Sequence, residues 1–226
     1  RHDYYLASKC GCNADVASVL TGAGPRHIYN RKNIVDGVNL SLKRMRTDYL
    51  DLVQFHGHPP DDMRGEAVQT LLELKREGKV RSIGVSTVLP DVTNLIKLGV
   101  FDAFQVPYSA LEREHEAVIT QAAKAGAGAI IRSGVARGEP GHGLAEPDRW
   151  KTWDKARLSE LLDGMSQFEF LLRFTISHPD LSTTIVGTLD PDHLAQNVAA
   201  ASKGPLPANV YSEAKKRLAA VGSLPV

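Results

Sequence analysis

The chain has 226 residues, of which 42% are hydrophobic, enough to bury one sizeable core and suited to a single domain. Its net charge of +1 and pI near 8.0 give no electrostatic case for a nucleic-acid partner. No apolar run reaches the roughly 18 residues that span a bilayer, and the N-terminus lacks the apolar region of a signal peptide. We therefore expect a cytoplasmic protein without a membrane partner.

Short apolar runs alternate with amphipathic segments along the chain, which predicts an α/β fold with a parallel sheet and right-handed crossovers. Six strands are predicted, at about 4–10, 49–55, 80–86, 102–106, 127–132 and 183–187. Helices are predicted at about 31–44, 65–77, from 90, 112–125, 159–177, from an N-cap at 190, and 208–220. Polar loops are predicted at 13–26, 58–64 and 134–151.

Titratable residues end two of the predicted strands. The first strand ends on Lys9 and the second on His56. In α/β barrels the carboxyl ends of the strands carry the chemistry, and histidine titrates near neutral pH. Neighbouring parallel strands would bring the ammonium and the imidazole to the same rim. The alternatives are structural: a histidine that caps a strand and bonds a nearby carbonyl, and a lysine at a solvated strand end.

A series of motifs follows in collinear order along nearly the whole chain. They are Ala7-Ser8-Lys9, Gln54-Phe55-His56, Gly78-Lys79-Val80-Arg81, Phe104-Gln105-Val106-Pro107, Ile185-Val186-Gly187-Thr188 and Gly204-Pro205-Leu206-Pro207. Together they resemble the aldo-keto reductases. The resemblance implies a TIM-type (β/α)8 barrel, present as one domain over residues 1–226 with about six of its eight strand-helix units. It also implies the reduction of an aldehyde or ketone to an alcohol by hydride transfer from a nicotinamide cofactor.

The resemblance places the general-acid tyrosine and its aspartate partner in two units that would precede Arg1. Two explanations compete: the 226 residues are part of a longer protein, or they are a truncated member of the family. We favour a longer protein, because an open barrel would leave strand edges unpaired and apolar helix faces exposed to solvent. No tyrosine in the chain is a good positional match to the missing acid. We therefore expect these residues alone to have negligible reductase activity.

The resemblance implies roles for individual residues. Lys9 would favour the phenolate of the acid, and His56 would hydrogen-bond and orient the oxygen of a small-molecule carbonyl substrate. The positions of Ser86 and Gln105 correspond to contacts of the nicotinamide carboxamide. Arg132 takes the place of a stacking tyrosine, and its planar guanidinium can stack or meet a pyrophosphate. The remaining cofactor contacts implied are Gly187, Thr188, His193, Gln196 and Asn197.

NADPH is the default cofactor of the family, and NADH is the alternative here. Members selective for NADPH commonly carry Lys and Arg where this chain has Gly187 and His193. The chain therefore has fewer cationic side chains to bind the 2′-phosphate. Gly187 and Thr188 follow the last predicted strand and precede a helix, where free backbone N–H groups suit a phosphate.

Cys10 and Cys12 are the only cysteines, and one intervening residue makes them too close for an ordinary disulfide. We predict two reduced thiols. With no further cysteine and no HExxH-type spacing, the sequence predicts no metal site.

Two further functions stay open. One is a non-catalytic, nucleotide-binding regulatory or interaction subunit, as the channel-associated members of the family are. The other is a different barrel enzyme, an isomerase or aldolase that uses Lys9 as a Schiff-base amine.

Overall fold

The computed structural model describes residues 1–13, 26–138 and 146–226. Within them the chain divides into two compact units, Arg1–Gln105 and Val106–Val226. The strands that begin in the first unit are β1 (Ala7–Cys10), β2 (Cys12–Asn13), β3 (Arg26–His27), β4 (Leu50–His56), β5 (Val80–Ser86) and β6 (Ala103–Pro107). Its helices are α1 (Arg31–Met45), α2 (Asp61–Arg76) and α3 (Asp91–Lys97).

The sheet of the first unit is parallel, as the sequence predicts. β1 pairs with β4, β4 with β5, and β5 with β6. β4 and β5 supply fully buried side chains such as Val53, Phe55, Ile83 and Val85, which is typical of strands covered on both faces. Parallel pairing puts the carboxyl ends of all four strands at one edge.

The helices of the first unit cover this sheet with apolar side chains at helical spacing. Ile34 and Val38 of α1 are four residues apart and fully or almost fully buried. Asn30 begins the helix, since its side chain accepts a hydrogen bond of 2.9 Å from the backbone N–H of Asn33.

A buried carboxylate joins the start of the chain to β4 and β5. Asp51 accepts hydrogen bonds from the backbone N–H of Leu6 and from Arg1, both at 2.8 Å, and from Arg81 at 3.1 Å. Burial alone raises the pKa of the Asp51 carboxyl, but the bonds from Leu6 and Arg1 outweigh it and hold that pKa below its ordinary value. This pairing fixes the segment that leads into β1.

The second unit again alternates helices with parallel strands. β7 pairs with β8 in parallel, with Ile131 opposite Thr184. Its core contains Trp153 packed edge-to-face on Phe170, with ring centroids 5.5 Å apart. Its elements are α4 (Glu116–Lys124), β7 (Gly128–Arg132), α5 (Pro147–Lys155), a 3₁₀ turn (Leu158–Leu161), α6 (Gln167–Ile176), β8 (Thr183–Thr184), α7 (Pro191–Ser202) and α8 (Ala208–Ala220).

A buried ionic cluster ties α8 to the start of α4. Arg113 is only 4% exposed, and its Nε donates to the Glu116 carboxylate at 2.7 Å. Lys215 of α8 pairs with the other oxygen of Glu116. Arg113 also donates to the carbonyl of Ser223 at 2.8 Å. Charges this deeply buried need such partners.

The prediction of one continuous helix at about 159–177 is wrong. The structure divides it into the 3₁₀ turn and α6, because Asp163 and Gly164 have φ angles of 43° and 80°. That left-handed conformation cannot continue a right-handed helix. Ser166 then caps α6 through a 3.0 Å bond from the N–H of Glu169.

Other boundaries differ by a few residues. The loop predicted at 134–151 ends early, because Pro147 occupies the first turn of α5, a position that favours proline. α2 begins at Asp61 rather than Gly65, and α4 begins at Glu116 rather than Glu112. β8 has two residues instead of the five predicted.

Among the described residues, no helix combines the length and apolar character that crossing a membrane requires. The interpretation of residues 1–226 as one barrel domain stays a prediction.

Candidate functional site

Four of the predicted site residues lie along the carboxyl edge of the first unit's sheet, namely Lys9, His56, Ser86 and Gln105. Lys9 is in register with Gln54, and residues two apart on a strand share a face, so Lys9 and His56 project from the same face. His56 is in register with Ser86, and Ser86 with Gln105. Lys9 is half-buried, His56 is exposed, and Ser86 and Gln105 are buried. Their assignment to substrate and nicotinamide stays a prediction.

The surroundings of His56 include three residues that the sequence did not point to. Cys12 Sγ lies 2.9 Å from His56 Nδ1. The ring of His27 meets the His56 ring edge-on, with centroids 5.6 Å apart. The hydroxyl of Tyr29 donates to the His56 carbonyl at 3.0 Å. His27 and Tyr29 are brought here from across the polar loop, so only tertiary structure reveals them.

Gly11 allows Tyr29 to reach this position. Its φ of 94° lies in the left-handed region, and a Cβ built on it would lie 2.5 Å from Cε1 of Tyr29. Tyr29 is 3% exposed, and burial raises the pKa of its hydroxyl above the ordinary value. Tyr29 is therefore a positioning residue for His56 rather than a ready proton donor.

The two cysteines differ in environment, and both are free. Burial raises the pKa of Cys10 to about 12, so this thiol stays protonated. Cys12 is half-buried. Burial raises the pKa of its thiol too, and the nearby Lys9 ammonium offsets part of that rise.

The second unit contains a cavity of about 760 Å³ beside the start of α7. All five residues that the sequence assigned to the distal cofactor contacts line it, namely Gly187, Thr188, His193, Gln196 and Asn197. The other lining residues are Ser133, Gly134, Val135, Arg137, Gly138, Phe168, Ile185 and Val186.

The start of α7 is shaped by a predicted cap. Asp190 accepts a 2.8 Å bond from the N–H of Asp192, and Pro191 follows it in the first turn. The Thr188 hydroxyl accepts a hydrogen bond of 3.0 Å from the backbone N–H of Asp190. This bond fixes the backbone just before the helix. His193 is exposed on the first turns, with its Nε2 3.7 Å from a carboxylate oxygen of Asp190.

Asn197 carries the clearest sign of a missing partner in this cavity. Its side chain is buried, with 7% exposed, yet its Oδ1 has no hydrogen-bond partner among the described residues. A buried acceptor left unsatisfied costs about 1–3 kcal/mol. A ligand with a donor at this point would recover that cost.

The cavity is lined by an arginine, Arg137, that the sequence analysis did not name. Arg132 is half-buried and does not line the cavity, and burial lowers the pKa of its guanidinium. Arg137 lines it instead and pairs with Glu146 at 2.9 Å. The role of Arg132 stays a prediction.

Comparison with known proteins identifies the family. The model of the aldo/keto reductase family matches residues 1–218. The chain belongs to this family. The uncharacterized oxidoreductase YqkF of Bacillus subtilis is 27% identical over 217 residues, covering 89% of this chain and 70% of that protein. The NADH-specific methylglyoxal reductase of Escherichia coli is 26% identical over 232 residues, covering 88% of this chain and 70% of that protein.

Solved structures confirm the fold class. The holo form of aldo-keto reductase AKR11C1 from Bacillus halodurans has a TM-score of 0.82 and 28% identity, covering 96% of this chain and 74% of that one. The glycerol dehydrogenase AKR11B4 from Gluconobacter oxydans has a TM-score of 0.77 at 19% identity, which speaks for the fold alone. The prediction of a TIM-type barrel, with six parallel strands among the described residues, is thus confirmed.

Proposed function

We propose that the protein reduces an aldehyde or ketone to an alcohol, using a nicotinamide dinucleotide as hydride donor. The observation that carries this proposal is the cavity of the second unit with the buried, unsatisfied Oδ1 of Asn197. Its volume lies within the range of about 300–1,000 Å³ that ligand sites occupy. The residues present therefore fit a dinucleotide.

The cavity residues supply what a dinucleotide needs. Gly187 and Thr188 precede α7, whose first-turn N–H groups and dipole favour a phosphate. Arg137 can add positive charge, His193 can donate a hydrogen bond, and Asn197 can accept one from an exocyclic amine of the base. When bound, the cofactor supplies the hydride.

The strand ends of the first unit supply the polar groups for the carbonyl. His56 would hydrogen-bond the carbonyl oxygen and hold it in one orientation, and Lys9 would stabilise negative charge near that oxygen. Cys12 and Tyr29 fix the ring and the backbone of His56 through the contacts described above. This arrangement binds and orients the carbonyl group. Its reduction to an alcohol also requires a proton donor.

The tyrosines of this chain are poorly placed to give that proton. Tyr4, Tyr5 and Tyr49 precede β1 and β4, at the end of the strands opposite to Lys9 and His56. Tyr29 is engaged with the His56 carbonyl. The hydroxyls of the other two, Tyr108 and Tyr211, lie 3.2 Å from each other in the second unit. We therefore propose that these 226 residues alone bind the cofactor but turn over negligibly.

Cofactor titration tests the proposal directly. Trp150 is a suitable reporter, because its Nε1 donates at 3.1 Å to the carbonyl of Gly138, which lines the cavity. Trp153 lies beside it, with ring centroids 5.7 Å apart. We expect saturable quenching of tryptophan fluorescence by NADPH or by NADH. Binding of neither would refute the proposal.

Both cofactors belong in that titration. NADPH is what the resemblance implies, but one Escherichia coli relative is named as NADH-specific. That name also suggests methylglyoxal as the first carbonyl to test for cofactor oxidation, followed by other small aldehydes and ketones.

A second candidate is a nucleotide-binding regulatory subunit. A Schizosaccharomyces pombe protein named "Putative voltage-gated potassium channel subunit beta" is 26% identical over 204 residues, covering 76% of this chain and 59% of that protein. Saturable cofactor binding without turnover of any carbonyl, in the longest product of the gene, would favour this candidate.

A further inference from the structure

Three side chains of types that can ligate a metal meet at the carboxyl edge of the first unit's sheet. Cys12, His27 and His56 each offer one ligand atom, and these atoms all lie within 4.8 Å of one another. They come from β2, β3 and β4. Their spacing along the chain matches no common metal motif, which is why the sequence predicted no such site.

The distances suit a tetrahedral ion. Zn²⁺ binds sulfur at about 2.3 Å and imidazole nitrogen at about 2.0–2.1 Å, which separates neighbouring ligand atoms by about 3.3–3.6 Å. Cys12 Sγ and His56 Nδ1 are now 2.9 Å apart, a hydrogen-bond distance. The cluster therefore needs side-chain shifts of no more than about 1.5 Å to close around an ion.

Paired backbone holds all three residues. Cys12 and His27 are direct partners in the antiparallel β2–β3 ladder. The Tyr29 hydroxyl fixes the carbonyl of His56, and the N–H of Gly57 donates to the carbonyl of Ser86 at 2.9 Å. Ligands on paired strands are held more precisely than ligands on loops.

We propose that Cys12, His27 and His56 bind a borderline divalent ion, Zn²⁺ in the first instance, with the fourth position open to solvent. One thiolate and two neutral imidazoles form a ligand set that suits zinc. The Cys12 thiol releases its proton to solvent as the sulfur–metal bond forms, and no oxidation or reduction takes place. His27 and His56 are exposed, so the ion can enter from solvent.

Direct binding tests the site independently of activity. The reduced, metal-free protein is titrated with Zn²⁺ by calorimetry and with Co²⁺ as a spectroscopic probe. We expect one equivalent of either ion, a thiolate-to-cobalt charge-transfer band in the near ultraviolet, and the visible bands of tetrahedral Co²⁺. Absence of binding, or binding without the thiolate band, would overturn the site whatever the cofactor titration shows.

Matched variants locate the ion. Cys12→Ser, His27→Gln and His56→Gln should each weaken binding by more than about 10- to 100-fold, the loss that second-shell changes alone produce. Cys10→Ser and His58→Gln are the controls, since Cys10 is buried and the His58 ring faces Asp91 at 3.3 Å. A control that loses binding as fully as the three ligand variants would place the ion elsewhere and refute the assignment.

Discussion

The unsatisfied acceptor of Asn197 allows a sharp test of the cofactor cavity, through the substitution Asn197→Ala. If the Oδ1 accepts a hydrogen bond from the cofactor, its removal costs the net value of that bond, about 0.5–1.5 kcal/mol. The dissociation constant for NADPH or NADH should then rise roughly 2- to 13-fold. The assay is the tryptophan fluorescence titration.

Stability provides the second half of the test. In the unliganded protein Asn197→Ala removes a buried acceptor that has no partner among the described residues, and alanine has the higher helix propensity within α7. The free energy of unfolding in urea should stay the same or rise, by up to about 3 kcal/mol if the cost of the unsatisfied oxygen is fully recovered. Asn94→Ala, at an exposed position of α3, is the control for affinity. Unchanged affinity, or a loss of stability above about 1 kcal/mol, would refute a ligand role and show a structural one.

Three further substitutions test other parts of the structure. Arg137→Gln should weaken NADPH binding about tenfold, because a charge-assisted bond to phosphate is lost. Arg132→Gln should weaken it less, because Arg132 does not line the cavity; the reverse order in the fluorescence titration would contradict a phosphate contact by Arg137. Asp51→Asn should lower the free energy of unfolding at pH 7 by about 2 kcal/mol. Because the folded pKa of Asp51 is depressed, its contribution is present above the unfolded pKa of about 3.9 and is lost as the pH falls through the folded pKa, so urea unfolding of the variant should show a weaker acid dependence than the wild type. Gly11→Ala should destabilise the protein by about 2 kcal/mol or more, because the added methyl group displaces Tyr29 and the backbone is left-handed there; an unchanged urea midpoint would contradict the close approach of Tyr29 to Gly11.

Much of the sheet could be predicted from sequence because its signals are local. The apolar run before His56 marks a buried strand, and the run before Lys9 marks a neighbouring strand that is only partly buried. Parallel pairing then brings both residues to one edge. The predicted cap at Asp190 is confirmed because its residue type and the proline after it determine the helix start. The break at Asp163 was missed, since an αL conformation leaves no trace in hydrophobic periodicity.

Less of the candidate site could be predicted from sequence, because its details depend on distant parts of the chain. Cys12 and His27 meet through a ladder that closes across the polar loop, and no local pattern reveals that pairing. Asn197 could be named from the resemblance, but its unsatisfied oxygen becomes visible only when the surrounding atoms are in place. The place of Arg137 in the cavity lining likewise becomes visible only in the folded structure.

The ionic cluster around Arg113 has a consequence for biosynthesis. Two groups that complete it, the Lys215 ammonium and the carbonyl of Ser223, are translated long after Arg113, the second of them 110 residues later. The first unit is contiguous in sequence, so it can begin to fold while the rest of the chain is still being translated. Until α8 and the residues after it emerge from the ribosome, the Arg113–Glu116 pair lacks the Lys215 ammonium and the Ser223 carbonyl that bond it in the native structure. Its native packing should therefore be completed only after α8 has emerged.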